Sequence, residues 1–244
     1  MKVPGPVIEL TRGERVAITI VNQSHEPTAV HWHGIELESY PDGVPGISGE
    51  GKHILPHVKP GDSLTVRFTP PRSGTFMYHS HSNEFQQISS GLYGALIVRD
   101  PGAVRDPETD RLLVLSDNGP QVNLVDPAAF PAALLNGQLK AAPIEVRGGT
   151  TTHFRLINIR SDLAMEVTLR DGESPAVWRI VAKDGMPTTA KQSQPRPASL
   201  VLGGGETYDL EVTPRAGAKL SLSYGMVGVQ PELAQTKVVP VVVH

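Results

Sequence analysis

Residues 9–22, ELTRGERVAITIVN, return 136 positions later as residues 145–158, EVRGGTTTHFRLIN. Glu9/Glu145, Gly13/Gly149 and Asn22/Asn158 coincide, and apolar residues coincide at Leu10/Val146, Ile18/Phe154, Ile20/Leu156 and Val21/Ile157. A second pair follows in the same order. Gly61–Pro70 (GDSLTVRFTP) resembles Gly205–Pro214 (GETYDLEVTP), now at an offset of 144. Both motifs read as a turn and a strand of alternating polarity, and the second ends in a proline stop. A chain built this way is a tandem of two β-sandwich domains.

Several other features agree. The 24 glycines and 22 prolines are spread along the chain and cut it into many short segments, as turn-rich all-β folds require. The polar stretch Pro101–Asp110 follows the apolar strand Gly94–Val98, so the domains are expected at residues 1–104 and 105–244. With 39% hydrophobic residues each half has material for a core. A net charge of −3 without a basic run argues against a nucleic-acid binder. No run of about 18 apolar residues suggests a membrane span. Met1–Pro6 has no apolar segment of the kind a signal peptide carries.

The 244 residues contain no cysteine. Within them, any metal must be held by nitrogen or oxygen. Nine histidines are present, and four form two His-X-His pairs: His31-Trp32-His33 and His79-Ser80-His81. Residues i and i+2 of a strand share a face. Each pair therefore presents two imidazoles to one side, and two such strands can gather four donors suited to copper, zinc, iron or nickel. At the 136 offset His31 and His33 fall on Val167 and Leu169, so the shared scaffold is expected to carry apolar residues there and the imidazoles to serve another purpose. His25, His53, His57, His153 and His244 are assigned to no metal. Ser80, between two ligand histidines, is expected to point to the opposite face.

The ordered strings HWHGIEL (31–37), DGVPG (42–46), GTFMYHSH (74–81) and GLYGALIV (91–98) resemble a multicopper oxidase of the laccase type. Arg155–Asn158 and Gly205–Leu210 resemble that family's copper-free domain. The resemblance spans nearly the whole chain and implies two cupredoxin-like Greek-key sandwiches. It implies that His31 ligates a type 2 copper, His33 and His79 one type 3 copper, and His81 the other, as four of the eight ligands of a trinuclear cluster. It makes Asp42 the acidic residue that delivers protons to reduced oxygen, where a plain turn residue before Gly43 is the ordinary alternative.

The family's His-Cys-His motif, which holds the type 1 copper, has no counterpart in these 244 residues. The expected partner is therefore a type 1 copper domain in cis or trans, or a second copy of the chain. The complete enzyme would couple one-electron oxidation of aromatic donors or metal ions to reduction of dioxygen to water, in a periplasmic or secreted setting, and this chain alone would be inactive. The alternatives are a non-enzymatic copper-binding or storage protein, a copper-free structural relative and, more remotely, a zinc hydrolase.

Overall fold

Val16, Ile18 and Ile20 turn inward and Ala17, Thr19 and Val21 face solvent, so the alternation in the sequence is the alternation of the strand. The computed structural model describes residues 3–117, 132–160, 163–229 and 234–244. They form two units, Met1–Val104 and Arg105–His244. Among the described residues the regular elements are strands, apart from two short helices in the first unit. No helix among the described residues is long and apolar enough to cross a membrane.

The first unit runs β1 (Ile8–Thr11), β2 (Val16–Val21), β3 (Val30–His33), α1 (Ser39–Asp42), β4 (Gly49–Glu50), β5 (His53–Ile54), β6 (Ser63–Phe68), β7 (Gly74–Ser80), α2 (Glu84–Ser89) and β8 (Tyr93–Arg99). One sheet has the order β1-β8-β7-β3, with β1 parallel to β8 and the other neighbours antiparallel. Strands β2 and β6 form an antiparallel pair. Trp32, Val66, Phe68, Phe76, Leu96 and Val98 pack between them. Trp32 is 1% exposed, and burying an aromatic of that size contributes about 3 kcal/mol or more.

The second unit repeats this plan. Ile144–Val146 pairs in parallel with Lys237–Val243, as β1 does with β8. Thr152–Asn158 pairs with Thr207–Val212, as β2 does with β6. The registers also agree: Val16 faces Phe68 and Thr152 faces Val212, which are the partners that the two sequence offsets dictate. Its core holds Phe154, Trp178, Leu210, Leu222 and Tyr224.

The structure corrects one expectation. Carried through the sheet, the register makes Leu96 equivalent to Val241, then Phe76 to Leu220, and then Trp32 to Leu169. The counterparts of His31 and His33 are therefore Thr168 and Arg170, not Val167 and Leu169. Val167 and Leu169 are 0% exposed and lie in the core. One extra residue between the repeats shifts the offset from 136 to 137, and a slip of one residue moves every side chain to the other face. The equivalents of all four paired histidines are Thr168, Arg170, Ser223 and Gly225. The sandwich does not need imidazole at any of them.

Candidate metal centre

The two His-X-His pairs lie on adjacent antiparallel strands. His31 on β3 stands directly opposite His79 on β7, and Trp32 opposite Tyr78. Trp32 and Tyr78 point into the sandwich, where Trp32 meets Phe68 at 5.6 Å and Tyr78 at 6.2 Å between ring centroids. The alternation that buries these aromatics sends His31, His33 and His79 to the opposite face. His81 follows β7, and its backbone N–H donates to the carbonyl of Ala29 just before β3.

All four imidazoles gather. Ring centroids are 5.3 Å apart for His31–His33, 5.4 Å for both His31–His79 and His33–His79, 5.5 Å for His31–His81 and 6.0 Å for His79–His81. His31 and His79 thus each meet the other three rings, and His33 and His81 lie to either side. Donor nitrogens of His31, His33 and His79 all lie within 4.8 Å of one another.

The ring orientations suit a cation. A carbonyl oxygen only accepts, so the 2.8 Å contact of His31 Nδ1 with the backbone oxygen of Asp42 places the proton on Nδ1. The 2.8 Å contact of His79 Nδ1 with the oxygen of Ser80 does the same. Both rings then offer the Nε2 lone pair, the arrangement by which outer partners set metal-binding histidines. His33 Nδ1 lies 3.2 Å from His79 Nε2. That spacing is short enough for one first-row cation to take both nitrogens as donors. His79 is 4% exposed, and burial pushes its imidazole down to about 3. It is therefore neutral at ordinary pH, the state a ligand must have.

Asp42, the last residue of α1, reaches His31 in a way the motif did not reveal. Its closest contact is the backbone carbonyl, while its carboxylate Oδ2 is 3.5 Å from His31 Nδ1 and the side chain is 30% exposed. Gly43 makes this approach possible. It sits at φ +93°, and a Cβ there would lie 1.9 Å from the carbonyl oxygen of Val30. Only glycine lets the loop press so closely on β3.

Sequence reading missed Glu84 on α2, whose carboxylate lies 3.8 Å from His79 Nδ1. No spacing signal marks a lone acid on a short helix. Ser80 points away from the cluster, as alternation requires, into a buried polar network. Four of the other five histidines have partners outside the cluster. His53 stacks on Tyr40, His57 bonds to Ser82 Oγ, His153 lies between Asp110 and Asp209, and His244 pairs with Glu145.

Known proteins resemble this chain along its length. A family model described as multicopper oxidase matches residues 1–103. The multicopper oxidase MmcO of Mycobacterium tuberculosis is 27% identical over 254 residues, covering 88% of this chain and 47% of that protein. Laccase-2 of Botryotinia fuckeliana is 30% identical over 245 residues, covering 88% of this chain and 39% of that protein. The crystal structure of the blue copper oxidase from Nitrosomonas europaea shares the fold with a TM-score of 0.74 at 23% identity, over 99% of this chain and 77% of that one. The chain spans less than half the length of the curated relatives it matches.

Proposed function

The chain belongs to the multicopper oxidase family, and from that premise we propose that His31, His33, His79 and His81 are half of the ligand set of a trinuclear copper cluster. The complete oxidase is laccase-like. It draws single electrons from small aromatic donors or metal ions and reduces dioxygen to water. One observation carries this reading: two neighbouring strands and the residue that follows one of them gather four imidazoles, with His31 and His79 directly opposed and already in the tautomer that frees Nε2.

His31, in ring contact with the three others, would hold the type 2 copper. His33 and His79, with nitrogens 3.2 Å apart, would share one type 3 copper, and His81 would serve the other. Copper bound by these histidines would supply one-electron redox chemistry. The protein holds neutral donors on rigid strands, keeps His79 out of water and fixes the ring planes through backbone carbonyls. The carboxylate of Asp42 is partly exposed and lies 3.5 Å from His31 Nδ1, and its role is to carry protons toward the oxygen being reduced.

The type 1 copper comes from a further domain, in cis or in trans, since these 244 residues contain no cysteine, and that domain would bring the remaining four histidine ligands. A secreted or periplasmic setting fits such an oxidase. Copper titration of the metal-free chain tests the proposal. Tight copper binding is expected, weakened at least tenfold by His79→Asn and abolished when all four paired histidines are replaced. Binding that survives the fourfold replacement, or no binding by the parent chain, sinks it.

A further inference from the structure

One buried amide ties together the segments that carry both histidine pairs. Gln87, on α2, is 5% exposed. Its Oε1 accepts from Thr28 Oγ1 at 2.8 Å and from Ser80 Oγ at 2.5 Å, and its Nε2 donates to the carbonyl of Pro27 at 2.9 Å. Both lone pairs of the amide oxygen are thereby used. Pro27 and Thr28 lead into β3 and its His31-Trp32-His33. Ser80 separates His79 from His81, and its Oγ also receives the backbone N–H of Ser82 at 3.2 Å. Thr28 and Ser80 are themselves buried.

We propose that Gln87 is a positioning residue that sets the spacing and aim of His31, His79 and His81 from the side of the sheet opposite the imidazoles. This inference rests on the reading of the four histidines as copper ligands.

The geometry explains why an amide is needed. Ladder hydrogen bonds between β3 and β7 end at the pair Val30–Ser80, so His81 lies beyond the regular sheet. Past that point the carbonyl of Ala29 holds the His81 backbone at 3.2 Å, and the Thr28–Gln87–Ser80 bridge holds the turn that follows. Serine in the middle of His-Ser-His is then a requirement of the bridge. Its hydroxyl reaches Gln87 while its two neighbours reach the metal. Gln87 also lies three residues after Glu84, on the same helix face. The bridge that aims His79 thus anchors the helix whose carboxylate stands 3.8 Å from that ring.

The test compares the full 244-residue chain with Gln87→Met, which keeps the length and loses all three hydrogen bonds. Ser80→Ala and Thr28→Val each remove one arm. Folding is followed by circular dichroism and urea melts. Copper affinity is measured by titration with Cu(I) and Cu(II), and ligand geometry by electron paramagnetic resonance of bound Cu(II). The expected result is a folded Gln87→Met protein that binds copper 10- to 100-fold more weakly with altered hyperfine splitting, and smaller losses in the single-arm variants. A folded Gln87→Met protein with the parent's affinity and spectrum overturns the inference. If Gln87→Met does not fold, the two single-arm variants decide by the same readouts, and unfolding of all three assigns the amide to the fold and equally overturns it. Failure of the parent chain itself to bind copper would instead overturn the proposed function.

Discussion

At Asp42 a residue type and its geometry part company. An acid after a His-X-His-Gly motif suggests a carboxylate at work, yet the atom nearest His31 is the backbone oxygen, at 2.8 Å. Two roles therefore belong to one residue and can be separated. The carbonyl sets the His31 tautomer whatever the side chain, and the carboxylate, 3.5 Å away, is the group proposed to carry protons. Asp42→Asn should keep copper affinity within about threefold of the parent in titration. In the complete oxidase it should slow dioxygen reduction by roughly 10²–10⁴-fold, the usual contribution of a positioned acid or base. A large loss of copper affinity in Asp42→Asn would show that the carboxylate, not the carbonyl, orients the ring. His79 teaches the complementary lesson. Its presence was legible, but its burial and depressed basicity follow from packing that no local pattern announces.

For single elements, strand polarity was read correctly and register was not. The alternation at Val16–Val21 and Thr152–Asn158 identified strands, and their pairings match through both offsets. The same arithmetic failed one strand later, because a single extra residue lies between the repeats and a strand has period two. The corrected equivalence makes a sharp prediction. Thr168→His with Arg170→His places two imidazoles on the outer face of Met165–Asp171, where the native residues are partly or largely exposed. It should alter stability by no more than about 1 kcal/mol in urea melts. Val167→His with Leu169→His puts two polar rings in a core where both sites are 0% exposed, and should cost several kcal/mol or prevent folding. Equal tolerance of the two double variants would refute the 137-residue equivalence.

On the scale of the whole molecule, two units of one plan carry different chemistry. Each has its own core, and only the first carries the paired histidines. The absence of cysteine in these 244 residues leaves them no thiolate for a type 1 copper. The copper-loaded chain should therefore show no oxidation of a phenolic donor above free copper when oxygen uptake is followed, and turnover should appear once a type 1 copper domain is supplied. Copper-dependent turnover by the chain alone would overturn that expectation.

What the sequence determined by itself was whatever depends on short-range periodicity and residue chemistry. This covers an all-β tandem, two His-X-His pairs each on one face, nitrogen rather than sulfur donors, and a family resemblance carried by ordered motifs. Only the tertiary structure decided which strands are neighbours, that His31 faces His79, that a backbone carbonyl fixes the His31 ring, and that Gln87 joins the two histidine-bearing segments from behind. The reason is physical. Periodicity states which way a side chain points from its own strand, while the distance between side chains 46 or 59 residues apart is set by pairing and packing, which belong to the fold as a whole.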